Sequence, residues 1–372
     1  MKTYVVGGAV RDGLLGLPVS DRDHVVVGAT PEEMRRLGYK PVGRDFPVFL
    51  HPDTHEEYAL ARTERKTARG YHGFEFYAAP DVTLEQDLER RDLTINAMAR
   101  DEAGTLIDPY GGEDDLRAGI LRHVSPAFAE DPVRILRVAR FAARFGFEIA
   151  TDTQALMRSM AEAGEVDALV PERVWQEFAR GLMELEPSRM LAVLRECGAL
   201  ERVAPELASL YDASAWDDVL DTIDTAAAQR MSLDGRWAAL TRTLDPYAAD
   251  ALAQRLKVPT SCRDLSVLAA KHANTIADAA DLDASALLEL FNAVDAWRKP
   301  KRFEELCEVA LIGEPDAQRT LQRLQRAVHA AAAVDAGAIA RGVTGGDAIR
   351  DAVAAARLQA IRAALMSMNG EG

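Results

Sequence analysis

The chain has 372 residues, of which 48% are hydrophobic and 28% are charged, and its formal net charge is −15 at pH 7. At about 150 residues per domain this length predicts two or three domains with hydrophobic cores of their own. Because no apolar run approaches the roughly 20 residues of a membrane-spanning helix, no export signal occupies residues 1–30, and general DNA binding needs a basic protein, we expect a cytoplasmic protein with neither membrane nor DNA as a partner.

The chain begins with a pattern of strand, Gly-Gly turn, helix and strand. Residues 3–6 predict a buried strand, residues 9–15 a short helix, and residues 21–27 a second strand. Alternate residues of a strand face the same side, so Asp21 and Asp23 would direct two carboxylates at one point. Such a pair suits Mg²⁺ that is shared with substrate phosphates. A lone Asp-x-Asp is more often a solvated turn, but the Gly-Gly turn and Arg11 upstream favour the metal interpretation.

The following 100 residues continue to mix strands and helices. They predict strands over 46–50, 56–62, 74–77 and 105–107, and helices over 84–90 and 113–117. Glu57 lies on one of these strands and is either a third carboxylate of the metal site or a surface charge. Strand signals stop beyond residue 128, and helical periodicity appears over 130–144, 153–163 and 172–185 and then to the end of the chain. The pattern predicts an α+β domain followed by an all-α region.

Arg90-Arg91-Asp92-Leu93-Thr94-Ile95-Asn96-Ala97 is the first dense group of polar residues after the aspartates. Arginine carries a permanent charge, and its planar fork fits phosphate or sugar oxygens. A structural Arg–Asp pair at a helix end explains the same residues equally well.

The predicted helix over 130–144 carries arginines at every third or fourth position. At 3.6 residues per turn they share one face of the helix, and they are Arg134, Arg137, Arg140 and Arg144. Like charges placed in this way need an anion or carboxylates to offset them, and the nearby carboxylates in sequence, Glu130 and Asp131, lie mostly at one end. The alternative is a solvated basic face.

Asp131 and Arg134 are three residues apart, which makes them neighbours on a helix. An ionised Asp only accepts hydrogen bonds and Arg only donates them. Cytosine and adenine both offer an amino donor beside a ring-nitrogen acceptor, whereas uracil and guanine offer the reverse order. A side-by-side pair would therefore accept C and A and reject U and G without a nucleic-acid template, because a mismatch leaves buried polar groups unsatisfied.

Five motifs occur in an order that resembles a known family. They are Gly7-Gly8-x-x-Arg11-Asp12 with Asp21-x-Asp23, Arg90-Arg91-Asp92-x-Thr94-x-Asn96-Ala97, Asp108-Pro109-Tyr110-Gly111-Gly112-x-x-Asp115-Leu116, Glu130-Asp131-x-x-Arg134 and Glu172-Arg173-Val174-Trp175. This order resembles the class II tRNA nucleotidyltransferases, the CCA-adding enzymes of the polymerase-beta superfamily. Residues 290–300 are similar to its proteobacterial branch, and residues 205–265 match poorly.

The resemblance implies a polymerase-beta-like head over residues 1–127, a helical neck over 128–186, and a helical body and tail over 187–372 that bind tRNA. It implies addition or repair of the 3′-terminal CCA of tRNA from CTP and ATP, with Mg²⁺ as the cofactor. The segment 62–73 aligns with a mobile loop of the family that is thought to help the switch from C to A addition.

The resemblance also assigns roles to single residues. Gly8 and Arg11 would contact the triphosphate, Asp21 and Asp23 would hold Mg²⁺, Arg91 would touch the incoming nucleotide, Asp131 and Arg134 would serve as the protein template, and Arg137 and Arg140 would complete the nucleotide pocket.

The sequence departs from the family in one respect, and two functions other than CCA addition stay open. Many proteobacterial relatives carry a His-Asp phosphohydrolase domain, but this chain has no His-Asp dipeptide and reads Arg236 to Thr243 in that region. We therefore expect no metal-dependent phosphodiesterase or phosphatase activity. The rivals are a poly(A) polymerase of the same fold and a non-catalytic RNA-binding protein.

Overall fold

The computed structural model describes residues 1–19, 21–42, 48–66, 74–211 and 213–369. The chain forms two compact units, Met1–Pro205 and Glu206–Gly372. This division differs from the three parts predicted with boundaries at 127 and 186, which stay a prediction.

The first unit is built on strands that are short and mostly antiparallel. They are β1 Lys2–Val6, β2 Asp23–Val27, β3 Lys40–Val42, β4 Val48–Leu50, β5 Glu57–Leu60, β6 Thr63–Lys66, β7 Phe74–Tyr77, β8 Ala99–Arg100, β9 Leu106–Ile107, β10 Ile120–Leu121 and β11 Glu148–Ile149. Seven of them form one sheet in the order β3-β4-β5-β2-β1-β8-β9. Within this sheet, β2 and β5 run parallel.

Two hydrophobic clusters cover the two faces of this sheet. Val25 and Val26 are adjacent on β2 and point to opposite faces, so each belongs to a different cluster. Val25 packs with Leu88, and Val26 packs with Met34 and Phe49. Asp23, the first residue of β2, is exposed, so polar groups can face solvent at this end of a central strand.

Nine helices complete the described part of the first unit. They are α1 Gly8–Leu14, α2 Pro31–Arg36, α3 Leu84–Glu89, α4 Gly112–Ala118, α5 Val133–Phe145, α6 Thr151–Glu162, α7 Pro171–Leu182, α8 Pro187–Glu196 and α9 Leu200–Val203. Helix α5 packs against both α7 and α8. The predicted α+β class is confirmed.

Two details of the sequence prediction are wrong. Helix α5 does not begin at Glu130: residues Pro126–Glu130 form a 3₁₀ turn and Asp131 is extended, with φ −121° and ψ 102°. The cause is Pro132, since a proline disfavours helical geometry in the residue before it. Strand signals also continue past residue 128, because β11 pairs in parallel with β10.

The second unit is helical throughout its described residues. Its helices are α10 Ala213–Ala228, α11 Leu233–Thr241, α12 Pro246–Arg255, α13 Thr260–Ala277, α14 Ala284–Ala293, α15 Pro300–Ala310, α16 Ala317–Ala332, α17 Ala336–Gly342 and α18 Gly346–Asn369. Pro246 and Pro300 occupy first helical turns, where the missing N–H has no intrahelical partner to lose. The core gathers Phe291, Leu306 and Leu324 from three of these helices.

Candidate active site

The Gly-Gly turn joins β1 to α1 and brings the backbone close to an arginine. Gly7 has φ +68° and donates its N–H to the carbonyl oxygen of Met98 at 3.1 Å. A Cβ atom placed on Gly7 would lie 2.8 Å from Nη1 of Arg91. The positive φ therefore favours glycine here, and the absence of a side chain lets the end of Arg91 lie close to the backbone.

The two aspartates lie beside this turn. Asp23 is the first residue of β2 and pairs with Val6 of β1 on one side and with Glu57 of β5 on the other. Directly paired residues of neighbouring strands project to the same face of a sheet, so the Asp23 and Glu57 carboxylates share a face. Asp21, Asp23 and Glu57 are all exposed and line the same cavity.

This donor set suits Mg²⁺. The described residues contain no group of three or more His, Cys, Asp or Glu side chains that would hold a metal by themselves. Mg²⁺ is commonly bound through one or two carboxylates together with substrate phosphates, which is the arrangement that Asp21 and Asp23 can offer.

Arg11 is the most enclosed cation of the site, with 3% of its surface exposed. Its Nε donates to Asp12 Oδ1 at 2.8 Å, and its Nη1 donates to Asn96 Oδ1 at 2.5 Å. The rings of Phe141 and Phe145 lie 5.1 and 4.9 Å from its guanidinium carbon. Burial lowers the pKa of Arg11 and the Asp12 carboxylate opposes that change, so a charged guanidinium is held rigidly at the cavity wall.

Asp92 connects this arginine to α5. Its Oδ1 accepts from Asn96 Nδ2 at 2.9 Å, and its Oδ2 accepts from Arg137 Nε at 2.7 Å. Burial favours the neutral acid, but the charge of Arg137 and the hydrogen bonds from Asn96 and Arg137 outweigh it. The pKa of Asp92 therefore lies well below its ordinary value.

Asp87 anchors the arginine pair that follows α3. The carboxylate is fully buried and accepts hydrogen bonds from Arg90 Nη2 at 2.9 Å and Arg91 Nη2 at 3.3 Å. Burial opposes its ionisation, but the two arginine charges lower its pKa below the ordinary value. Arg90 and Arg91 each form an ion pair with Asp87 and also line the cavity. The segment therefore contains the structural Arg–Asp pair and also places both arginines where they can meet a ligand.

The arginines of α5 find their carboxylates on other elements, not at one end of the helix as the sequence suggested. Arg140 Nε donates to Glu177 of α7 at 2.7 Å, and Arg144 Nη2 donates to Asp12 of α1 at 3.0 Å. Arg137 is bound to Asp92 as described above. The helix is therefore neither a solvated basic face nor a row of unopposed charges.

Asp131 and Arg134 both reach the cavity, but they are not paired side by side on a helix. Asp131 precedes α5 and accepts two hydrogen bonds from Arg173 of α7, at 2.8 and 3.3 Å. Arg134 is buried and donates to the carbonyl oxygens of Ala127 at 2.9 Å and Arg90 at 2.6 Å. The expectation of a neighbouring pair within one helix is thus wrong, because Asp131 is extended.

The predicted site residues surround one open cavity of about 1150 Å³ in the first unit. Its charged wall consists of Arg11, Arg22, Arg90, Arg91, Arg134, Arg137, Arg140, Arg144, Arg173, Arg180, Asp21, Asp23, Glu56, Glu57, Asp92 and Asp131. Gly8 also lines the cavity. Arginines outnumber carboxylates in this wall, so the cavity suits an anion although the whole chain is acidic.

Three residues that shape the site were not assigned a role from sequence. Each acts through the residue that it binds: Arg173 holds Asp131, Glu177 holds Arg140, and Asp12 holds Arg144. Arg173 and Asp12 were visible within recognised motifs, but their partners lie too far along the chain for periodicity to reveal.

The motif over residues 108–116 packs against the segment around Thr94, which contains the cavity residue Asn96. Asp108 accepts from the backbone N–H groups of Gly112 and Glu113, both at 2.8 Å, and so caps α4. Thr94 donates its hydroxyl to Asp115 at 2.7 Å. A Cβ on Gly112 would lie 2.2 Å from the carbonyl oxygen of Thr94, so this glycine allows α4 to pack closely on the arginine segment.

Two further expectations concern other parts of the chain. Of the proposed mobile loop, Arg62 and strand β6 are described and residues 67–73 lie outside the described residues; β6 pairs antiparallel with β7. In the second unit the stretch from Arg236 to Thr243 forms most of α11, where Arg236 is buried and donates to the carbonyl oxygens of Met231 and Ala227.

Comparison with known proteins relates both the fold and the sequence to CCA-adding enzymes. Residues 3–122 match the family described as the Poly A polymerase head domain, and residues 146–211 match the probable RNA and SrmB-binding site of polymerase A. The Multifunctional CCA protein of Burkholderia pseudomallei (strain 668) is 55% identical over 412 aligned residues, which cover 98% of this chain and 99% of the relative.

Solved structures show the same fold over almost the whole chain. An apo form of a CCA-adding enzyme has a TM-score of 0.73 at 23% identity and covers 99% of this chain and 92% of its own. The Thermotoga maritima CCA-adding enzyme complexed with tRNA has a TM-score of 0.71 at 23% identity, with 99% and 91% covered. Others are complexes of CCA-adding enzymes with ATP and with CTP. Within the described residues, no helix is long and apolar enough to cross a membrane.

Proposed function

Because the chain belongs to the class II CCA-adding enzymes, a family of nucleotidyltransferases, we propose that it adds or repairs the 3′-terminal CCA of tRNA from CTP and ATP without a nucleic-acid template. The observation that carries this proposal is the single cavity that gathers a pair of exposed carboxylates and a wall of arginines. We propose that the enzyme works on tRNA in the cytoplasm.

The triphosphate would lie between the Gly-Gly turn and Arg11. Gly8 brings backbone close to the ligand, and Arg11 is held at the wall by Asp12 and Asn96. Arg91 lies over Gly7 and would meet the same nucleotide. Arginine forks match phosphate oxygens in pairs, so these residues would orient the α-phosphate for attack.

Asp21 and Asp23 would hold Mg²⁺ together with the substrate phosphates, and Glu57 on the adjacent strand adds negative charge to the same face. When bound, the metal neutralises phosphate charge and lowers the pKa of the attacking hydroxyl. The terminal 3′ oxygen of the tRNA forms a bond to the α-phosphate, the bond from that phosphate to the bridging oxygen breaks, and pyrophosphate leaves. The protein acts mainly by positioning both reactants and stabilising their charge.

Base selection would depend on Asp131 and Arg134, with Arg137 and Arg140 completing the pocket. Asp131 accepts hydrogen bonds and Arg134 donates them, which matches the pairing edges of C and A. Both groups now bind other protein groups, namely Arg173 for Asp131 and two carbonyl oxygens for Arg134. Reading a base therefore requires each side chain to share or exchange those partners.

The helical part of the chain beyond residue 187 would hold the tRNA by its shape, through phosphates and 2′-hydroxyl groups. In this assignment residues 1–127 act as the head and 128–186 as the neck. The net charge of −15 predicts weak binding to arbitrary RNA and strong dependence on salt.

The closest rival is a poly(A) polymerase, since the matched head family carries that description. The test incubates the protein and Mg²⁺ with tRNA that lacks its terminal CCA, together with CTP and ATP. We expect growth by three nucleotides, C, C and A. A long tract of A would support the rival, and absence of any incorporation would contradict the proposal.

A further inference from the structure

Asp12 bridges Arg11 and Arg144, two arginines that line the cavity. Asp12 itself is not among the described residues that form the cavity wall. Its Oδ1 accepts from Arg11 Nε at 2.8 Å and lies 2.7 Å from Arg11 Nη2. Its Oδ2 accepts from Arg144 Nη2 at 3.0 Å. One carboxylate therefore holds two cations, one from α1 and one from α5.

The position of the Arg11 guanidinium is determined on every side. Asp12 binds one edge, Asn96 binds Nη1, and the rings of Phe141 and Phe145 flank it. Among the described residues these contacts engage three of its five N–H groups, which leaves two for an incoming anion. Arg144, at the other end of the bridge, is one-third exposed, and its guanidinium carbon lies 4.8 Å from the centre of the Phe145 ring.

Asp12 lies between two cations whose charges repel each other, and its negative charge offsets that repulsion. A polyphosphate is the ligand that benefits most from two guanidinium groups kept at a constant spacing, since each fork can bind oxygens of a different phosphate.

We propose that Asp12 is a positioning residue for the triphosphate and that Arg144 joins Arg11 in binding it. This inference rests on the proposed nucleotidyl transfer and adds to it one phosphate-binding arginine and the carboxylate that orients both cations. Asp12 touches neither substrate nor metal and acts only through the two arginines.

The direct test measures the binding of inorganic tripolyphosphate by calorimetry. The buffer contains EDTA, so that protein groups alone hold the phosphates. Asp12→Asn keeps the size of the side chain but loses its charge and presents an amide N–H to one arginine. We expect its Kd for tripolyphosphate to rise about tenfold, and its KM for CTP and for ATP to rise by similar factors, because the phosphates are common to both. The KM for tRNA and the Tm should stay close to wild type.

Asp12→Glu is the second variant, because it retains the charge and moves the carboxylate by one methylene. We expect a rise in the tripolyphosphate Kd of about threefold. The control is Asp114→Asn, which removes an exposed carboxylate that pairs with Arg117 outside the cavity.

A tripolyphosphate Kd that is unchanged in Asp12→Asn would overturn the proposal, and Asp12→Glu decides in the same way if the first variant does not fold. The proposal is also overturned if the KM for tRNA rises as much as the KM for CTP and ATP. Since the binding measurement needs no turnover, it remains decisive even if the wild type adds no CCA, a result that would count against the proposed function instead.

Discussion

Arg173 holds the Asp131 carboxylate through two hydrogen bonds, whereas Arg134, expected beside Asp131 on the same helix, binds backbone carbonyl oxygens. The orientation of Asp131 therefore depends on α7, an element that begins 40 residues further along the chain. A direct exchange of the charges at 131 and 134 would place a carboxylate against the two carbonyl oxygens that Arg134 now binds. Base selection is better probed through Arg173.

Arg173→Gln should reduce the preference for CTP over UTP. Loss of this two-point, charge-assisted contact leaves the Asp131 carboxylate with the Val133 N–H but without the charged fork that fixes its second oxygen. We expect the ratio of kcat/KM values to fall about tenfold. Single-nucleotide incorporation measures this ratio. Arg117→Gln, which removes an exposed arginine of α4, is the matched control. If the Arg173 variant discriminates as well as the control does, Arg173 has no part in base selection.

Asp21→Asn and Asp23→Asn should each lower CCA incorporation by about a thousandfold, because the amide cannot replace a carboxylate as a ligand of a hard cation. Both side chains are exposed, so the thermal unfolding of each variant should match the wild type. Labelled CTP and a tRNA substrate measure the activity, with Asp114→Asn as the control. Near-normal turnover by either variant would end the assignment of the metal site.

The Asp92 carboxylate should make the protein sensitive to acid. Its pKa is lower in the folded chain than in the unfolded chain, so its contribution is fully present above the ordinary aspartate pKa of about 4 and is lost as the pH falls towards the folded value. Urea denaturation at pH 6 and at pH 3.5 gives the free energy of unfolding at each pH. Between these values it should fall less for Asp92→Asn than for wild type. Equal losses in the two proteins would show that Asp92 does not contribute to the acid response.

Gly112→Ala should destabilise the first unit by about 2 kcal/mol, in the range for overpacked sites. The added methyl group meets the Thr94 carbonyl oxygen and the Met98 side chain, and a backbone atom cannot move aside cheaply. Gly342→Ala is the control, because no described atom lies within 4 Å of the Cβ it would add. Urea denaturation compares the two. A variant at 112 as stable as the one at 342 would refute the packing argument.

The purified protein should not hydrolyse 2′,3′-cyclic nucleotides with Mg²⁺, Mn²⁺ or Ni²⁺. In α11, Arg236 is a buried guanidinium that donates to the carbonyl oxygens of Met231 and Ala227, and the stretch from Arg236 to Thr243 offers neither His nor Asp as a metal ligand. The assay follows the conversion of 2′,3′-cyclic AMP into its phosphomonoester. Activity that disappears with a chelator would contradict this prediction.

The sequence indicated which residues form the cavity much better than it indicated their partners. Asp23 begins β2 and Asp21 precedes that strand by two residues, so the predicted strand over 21–27 starts later than expected, although both aspartates reach the cavity. The arginines of α5 recur with helical spacing, and periodicity identified them correctly. The ion pairs of Arg173 with Asp131 and of Arg144 with Asp12 span 42 and 132 residues. No periodic pattern covers such distances, and only the packing of α1, α5 and α7 reveals them.

Pro132 shows how one local constraint can alter a site. The helical pattern from Glu130 onward was real, but the proline excluded Asp131 from the helix. From this position the carboxylate accepts the backbone N–H of Val133 at the start of α5 and also binds Arg173 of α7.

The distances in sequence between the α5 arginines and their carboxylates have a consequence for synthesis. Asp12 and Asp92 leave the ribosome before α5, but Glu177 follows Arg140 by 37 residues. A nascent chain that stops before α7 therefore lacks both the Glu177 carboxylate that offsets Arg140 and the Arg173 guanidinium that orients Asp131. Arg140 is therefore the α5 arginine whose carboxylate is made last, whereas Arg137 and Arg144 have Asp92 and Asp12 as partners as soon as α5 itself has been synthesised.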